Sequence, residues 1–178
     1  MTRVRLATVA DADAVAGIYR PYVTDTAITF DETPPTADDF ARRIDTGGLP
    51  FVVAEQNGRV IGYATASPHG TRASFRWSVN LMIYLDGSAT RGGVGRALYG
   101  DLLPRLAGLN YVRAYAGITL PNGPSVGLHE SLGFRPVATF PSAGFKLRRW
   151  WDVGWWEYLL TPLSDSPAEP IAWSTTQK

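Results

Sequence analysis

The sequence predicts a mixed α/β domain, with strands and helices interleaved about a central sheet. Three observations carry that expectation. An apolar run, Leu81 to Leu85, breaks at Asp86-Gly87-Ser88 and resumes with helical character at Ala97-Leu98-Tyr99. Asn57-Gly58 stands between two apolar runs, which is a strong short-range hairpin signal because both turn residues need positive φ. Read end to end, the elements follow the order β-α-α-β-β-β-α-β-α-β-β, with no internal repeat.

Taken in order, Arg3 to Ala7 alternates like a short strand. Thr8 and Asp11 resemble a capping box with Asp in place of Glu, and Ala14, Val15, Ile18, Tyr19 and Tyr22 form the stripe of a first helix. Pro21 falls near its end, where a break costs little. A loop from Thr24 to Pro35 carries Ile28 and Phe30. Thr36-Ala-Asp-Asp39 opens a second helix that runs to about Asp45 and stops at Gly47-Gly48. The hairpin of Phe51–Glu55 with Arg59–Ala66 ends at Ser67-Pro-His-Gly70, a turn in which His69 reads as a solvated loop residue. The third helix buries Leu98, Leu102 and Leu106, and Pro104 should kink or shorten it. A strand from Asn110 to Ile118 and a turn at Leu120–Pro124 follow, then a short helix capped by Ser125 and ended by Gly133. Val137–Phe140 and Trp155–Leu160 read as the last strands, joined by an aromatic, basic excursion through Trp150-Trp151. Residues 1–161 therefore read as one domain, and the Pro/Ser/Thr-rich stretch 162–178 as a tail.

Composition narrows the function classes. A chain of 178 residues is long enough to bury a substantial single core. A net charge of +1 with no Lys/Arg block gives no electrostatic case for nucleic acid or an anionic membrane as partner. Cysteine is absent, which removes disulfides, thiolate metal sites and a cysteine nucleophile, and no metal site is expected. No apolar run approaches the ~18 residues of a membrane span, and the first residues lack a signal-peptide core, so a cytoplasmic location is expected.

The stretch Arg91-Gly92-Gly93-Val94-Gly95-Arg96 lies where a strand feeds a helix. There backbone N–H groups and the positive end of a helix dipole converge, as phosphate oxygens require, and two arginines add charge. Two familiar phosphate loops fail the spacing. No Gly-Lys-Ser/Thr follows, and counting on from Gly93 and Gly95 for a third small residue reaches Leu98. Thr90-Arg-Gly-Gly-Val-Gly95 instead resembles the Q/R-x-x-G-x-G/A acyl-CoA loop of the GCN5-related N-acetyltransferases, with Thr90 where Gln or Arg is usual. Downstream, Asn122 to Phe134 resembles the N-x-x-S-x-x-L-[YH]-E-x-L-G-F run of the same family. Leu128-His-Glu-Ser-Leu-Gly-Phe134, Ala143-Gly-Phe-Lys146 and Trp151-Asp-Val-Gly-Trp-Trp156 are similar to its phosphinothricin N-acetyltransferase branch. The resemblance spans roughly residues 3–160.

It implies the family's fold, a mixed central sheet with helices on both sides, and acetyl-CoA as cofactor. It also implies transfer of acetyl to the amine of a small amino-acid-like acceptor, of the phosphinothricin or methionine sulfoximine type, and a homodimer. Met82, Ile83 and Tyr84 would offer backbone groups to the pantetheine where two parallel strands splay, and a main-chain N–H there would polarise the thioester carbonyl. Arg91, Gly92, Gly93, Val94, Gly95, Arg96 and Ala97 would hold the pyrophosphate. Asn122 and Ser125 would meet the cofactor's arm, although Asn122 reads equally as a turn residue. His129 stands where the superfamily often has a tyrosine acid and this branch a histidine, and its side chain reads as catalytic or as structural.

One departure bears on mechanism. Gly70-Thr-Arg-Ala-Ser-Phe-Arg-Trp-Ser-Val-Asn80 resembles the branch's K-x-R-x-x-Y-x-W-[ST]-V-E, but Asn80 replaces the Glu that serves as base. An Asn can orient water but cannot accept a proton at neutral pH. Either His129 deprotonates the amine, or the acceptor differs, or the protein binds acyl-CoA without turnover. If residues 76–80 are extended, Arg76 and Asn80 share a face, and with Arg72 they would favour a carboxylate-bearing acceptor; as plain surface charges they would do nothing. Phe75 replaces a family Tyr, and Phe30 corresponds to an acceptor-pocket aromatic or packs structurally.

Overall fold

The computed structural model describes residues 2–89 and 92–173. Its elements follow the predicted order: β1 (Arg3–Leu6), α1 (Ala12–Asp25), α2 (Ala37–Thr46), β2 (Phe51–Gln56), β3 (Arg59–Pro68), β4 (Ser78–Leu85), α3 (Val94–Gly108), β5 (Arg113–Leu120), α4 (Gly123–Ser131), β6 (Arg135–Lys146) and β7 (Arg149–Leu159). The sheet runs β1-β2-β3-β4-β5-β7-β6. Every neighbouring pair is antiparallel except β4 and β5.

Period-two alternation splits the core across this sheet. On β2, Val52 and Ala54 join the cluster built on Leu98, Leu102 and Leu106 of α3. Phe51 and Val53 join Val15, Tyr19, Phe40 and Ile44 of α1 and α2 on the other side. Helices thus cover both faces. The Thr8–Asp11 pairing fixes the entry to α1: the Asp11 carboxylate accepts from the Thr8 N–H at 2.8 Å and from the Arg5 guanidinium at 2.8 Å. Arg5 holds that carboxyl below its usual range.

Several expectations change in detail. Neither proline ends its helix: α1 continues past Pro21 to Asp25, and α3 past Pro104 to Gly108. Leu102, Leu103 and Leu106 are buried around Pro104, and that burial outweighs one missing backbone hydrogen bond. The aromatic excursion is not a loop. β6 and β7 form one long hairpin turned at Leu147 and Arg148, which both take positive φ without the Gly or Asn that would have signalled it. Residues 161–173 carry no helix or strand, yet part of this stretch is docked on the domain. Trp77 Nε1 donates to the Ala168 carbonyl at 2.8 Å, Asn110 to the Glu169 carbonyl at 2.9 Å, and Ile171 N–H to the Leu109 carbonyl at 2.9 Å.

Candidate active site

Parallel β4 and β5 stay paired only through Ser78↔Arg113, Val79↔Ala114 and Asn80↔Tyr115, then part. Beyond that last rung the gap is a narrow cleft of about 110 Å³, lined by Leu81–Tyr84, Ala116–Thr119, Tyr99, Asn122, Ser125 and His129. Ile28, from the loop after α1, lines it as well.

Alternation decides which β4 groups face the gap. The bonds His69 N–H to Ser78 O (3.1 Å) and Asp86 N–H to Ile61 O (2.9 Å) fix the phase of the β3–β4 ladder. Ser78, Asn80, Met82, Tyr84 and Asp86 then turn their backbone groups to β3, and Leu81 and Ile83 turn theirs to β5. This corrects the expectation for the backbone of Met82 and Tyr84. Of the three residues named from sequence, Ile83 alone has main-chain groups aimed at the cleft, and Leu81 joins it.

Met82 and Tyr84 contribute side chains instead. They also line a second cavity of about 480 Å³ beneath α1 and α2, with Tyr19, Thr29, Asp31, Arg43, Tyr63, Thr65 and Ser67. Tyr63↔Tyr84, Thr65↔Met82 and Ser67↔Asn80 are three successive rungs on this face. Burial pushes the phenols of Tyr19, Tyr63 and Tyr84 up, so all three stay neutral hydrogen-bonding groups. Tyr19 bonds the Thr29 hydroxyl at 2.6 Å and donates to Asp31 at 2.8 Å. This cavity draws on five elements and two loops, and no local pattern in the sequence marks it.

At the glycine loop, Thr90 and Arg91 lie outside the described residues. Gly93 precedes α3 at φ +74°, a left-handed conformation that a side chain would strain, while a Cβ there would meet nothing within 4 Å. Gly95 answers to packing: a Cβ would lie 2.8 Å from Leu128 Cδ2 and 3.6 Å from Ile83 Cδ1. The two glycines therefore do different work, one shaping the turn and one bringing α3 against α4 and β4. Val94, Gly95 and Arg96 present the first-turn N–H groups, and the ladder of α3 starts with Ala97 N–H to Gly93 O. The Arg96 guanidinium is bonded to Ser131 O (3.1 Å) and Oγ (2.9 Å), bracing α3 against α4.

Asn122 lines the cleft and caps α4 by accepting from Ser125 N–H at 3.2 Å, and its NH₂ has no partner among the described residues. His129 is only 2 % exposed. Its Nδ1 lies 2.7 Å from the Ser125 carbonyl and must donate to it, so Nε2 accepts from the Tyr99 hydroxyl at 3.0 Å. Burial lowers the His129 pKa and raises that of Tyr99, so both are neutral near pH 7. Sequence reasoning missed Tyr99, which read only as a helix residue.

The lowered pKa predicts an acid sensitivity. An unfolded imidazole takes its proton near 6.5, whereas folded His129 takes it only at lower pH. Below about 6.5 the unfolded chain binds more protons, so stability is complete above that pH and is lost on acidification through the folded value. Asp11, Asp39 and Asp86 are held below their usual 3.8 and act in a more acid window. Melting temperatures between pH 5 and 7 should fall with acid in the parent and less steeply in His129→Gln; equal slopes would refute the assignment.

At the other end of the opening, Asn80 Oδ1 lies 2.7 Å from His69 Nδ1. The Tyr115 ring lies 4.5 Å from the His69 ring, with Phe75 at 5.8 Å and Trp155 at 6.1 Å edge-on. His69, read from sequence as a solvated turn residue, is thus half-buried in a ring of aromatics beside Asn80.

The remaining acceptor candidates scatter. Residues 76–77 form a turn, so the expected alternation does not reach Arg76. Its guanidinium pairs with Glu169 at 2.6 Å and stacks on Trp77, so it brings no free charge to Asn80. Arg72 is exposed, with no ion pair among the described residues. Phe30 lies over Gly144, where a Cβ would fall 2.2 Å from its ring, and Lys146 anchors the same loop by donating to the Thr29 and Asp31 carbonyls at 2.8 and 2.9 Å.

Comparison with known proteins gives one consistent result. Residues 4–155 match the family model of the acetyltransferase (GNAT) domain. The chain is 36% identical over 173 residues to a phosphinothricin N-acetyltransferase of Streptomyces viridochromogenes, covering 94% of this chain and 93% of that one. It is 31% identical over 153 residues to an L-methionine sulfoximine/L-methionine sulfone acetyltransferase of Salmonella typhimurium, covering 84% and 90%. Among solved structures it superposes on a GNAT-superfamily phosphinothricin acetyltransferase from Sinorhizobium meliloti in complex with AcCoA. There the TM-score is 0.85 and the identity 34%, over 93% of this chain and 95% of that one.

Proposed function

The chain belongs to the GNAT acetyltransferase family, and from that premise we propose that it transfers acetyl from acetyl-CoA to the amine of a small amino-acid-like acceptor. The observation that carries this reading is the parting of β4 and β5 after the Asn80–Tyr115 rung, beside a cavity large enough for an amino acid. Both are the spaces the reaction needs, and Met82 and Tyr84 border each of them.

The residues fit acetyl-CoA on structural grounds. The backbone groups of Leu81 and Ile83 are left without a strand partner on the β5 side, as an extended pantetheine arm requires. The first turn of α3 offers N–H groups for the pyrophosphate, and Asn122, which lines the cleft, would offer its NH₂ to the arm. Bound there, acetyl-CoA supplies the activated acetyl thioester. An N–H of Leu81 or Ile83 would polarise its carbonyl. Tyr99 and His129, both buried and bonded to each other, line the α4 side of the cleft. Asp31 and Arg43 give the larger cavity one charge of each sign, matching the ammonium and carboxylate of an amino acid such as phosphinothricin or methionine sulfoximine. In the turn before β4, Phe75 packs beside His69 and Arg72 is exposed, both available to an acceptor that reaches this end of the strand. The exposed Val137, Phe140, Phe145 and Trp150 of the β6–β7 hairpin suit a homodimer interface, and no helix among the described residues is long and apolar enough to cross a membrane. A cytoplasmic enzyme is the reading that fits these features.

Asn80 favours one rival, an acyl-CoA-binding protein without turnover. Acetyl-CoA at about 100 times its Kd should stabilise the fold by ~2.7 kcal/mol and raise Tm by roughly 5–10 °C. Thiol release with phosphinothricin or L-methionine sulfoximine then separates enzyme from binder. No shift in Tm would overturn both.

A further inference from the structure

We propose that His69 is the general base that receives the acceptor amine's proton, with Asn80 as the residue that fixes its tautomer. The inference rests on the acetyltransferase reading and supplies the part that the loss of a carboxylate at position 80 removes.

Tautomer chemistry comes first. Asn80 Oδ1, 2.7 Å from Nδ1, is an acceptor only, so Nδ1 carries the hydrogen and Nε2 keeps its lone pair. Among the described residues Nε2 has no hydrogen-bond partner. An imidazole oriented by an amide oxygen is a known catalytic arrangement, as in Cys-His-Asn hydrolases. Here the rings of Tyr115, Phe75 and Trp155 lie 4.5, 5.8 and 6.1 Å from the imidazole.

Position supports the same role. Asn80 continues the face of β4 that carries Met82 and Tyr84, and its rung partner Ser67 lines the 480 Å³ cavity together with Pro68. His69 follows directly in the chain, and its ring lies 4.5 Å from that of Tyr115, the β5 residue paired with Asn80 at the last rung before β5 leaves β4. An amine seated near Met82 to meet a thioester in the cleft would have His69 on its far side. His129 cannot serve as readily, because both of its ring nitrogens are already bonded and it lies among the α4 and α3 residues.

The free amine's nitrogen lone pair forms the C–N bond at the thioester carbonyl carbon, and an N–H proton passes to His69 Nε2. The C–S bond breaks with its electron pair on sulfur. The imidazolium returns its proton through solvent to that thiolate, so amine plus thioester becomes amide plus thiol.

His69→Gln should lower kcat for phosphinothricin or L-methionine sulfoximine by about 10²- to 10⁴-fold, with the KM for acetyl-CoA and the cofactor-induced rise in Tm retained. Asn80→Leu, which replaces the orienting amide with methyl groups of similar shape, should lower kcat by about tenfold or more. Imidazole NMR on ¹⁵N-labelled parent, without cofactor, should show His69 protonated at Nδ1, and Asn80→Leu should shift that signal; the chain has two histidines, and His69→Gln identifies the one concerned. Added imidazole should restore part of the rate to His69→Ala. An active parent with His69→Gln within threefold of it, or a His69 carrying its hydrogen on Nε2, overturns this proposal alone. A parent that binds acetyl-CoA and releases no thiol with any amine overturns the transferase reading and this proposal with it.

Discussion

Gly93→Val is expected to weaken acetyl-CoA binding by about 100-fold, the equivalent of losing two backbone N–H bonds to charged oxygens at ~1.5 kcal/mol each. The reasoning lies in the backbone. At φ +74° a β-branched residue is strained by more than the ~1–2 kcal/mol an ordinary side chain incurs, and the turn relaxes toward negative φ. That relaxation rotates the N–H groups at the start of α3 away from a common point. A Cβ would clash with nothing, so the apo fold should survive with Tm lowered by only a few degrees. Gly92→Ala is the control, since its Cβ would meet atoms only at 3.9 Å and its φ is not positive. Gly95→Val should behave in the opposite sense, because overpacking against Leu128 costs stability first. Isothermal titration and melting curves for the three variants check this, and unchanged affinity in Gly93→Val would mean the loop does not hold the cofactor.

The order of elements was legible because each strand and helix here carries its own local signal: Asn57-Gly58 takes positive φ at both residues, and Thr36 with Asp39 forms the cap of α2 that the spacing implies. What escaped the sequence was set by tertiary context. The Leu147-Arg148 turn adopts left-handed φ with ordinary residues because the two long strands around it dictate the geometry. Arg76 looked available because its partner, Glu169, lies 93 residues on, in a stretch whose composition suggested a free tail. His69 looked solvated because Ser-Pro-His-Gly is turn chemistry; its partners Asn80, Tyr115 and Trp155 come from three other strands, and no spacing rule joins them. The site was therefore readable where it follows one motif on one loop or helix, and unreadable where residues meet across the sheet. The acetyl-donor side belongs to the first kind and the acceptor side to the second.

That division frames the second large effect. In the double variant His69→Gln/Asn80→Glu, activity should recover at least tenfold over His69→Gln alone, within the 10²- to 10⁴-fold range a general base supplies. Asn80 is the rung partner of Ser67, which lines the larger cavity, and Glu is longer than Asn by one methylene. With the imidazole replaced by a slimmer amide, a carboxylate there extends into the space the ring occupied, between Tyr115 and Trp155. At pH 7.5 a carboxylate with an ordinary pKa near ~4.3 is ionised and accepts a proton directly or through one water. If His69 and a carboxylate at position 80 are alternative ways of placing one base, the losses cannot add: the second change repairs the first. A merely structural role for His69 makes the opposite forecast, since a second substitution in a damaged aromatic cluster would only lower activity further. Thiol-release rates with L-methionine sulfoximine for the parent, both single variants and the double variant complete the cycle. A double variant no faster than His69→Gln would show that the base does not sit at this end of β4.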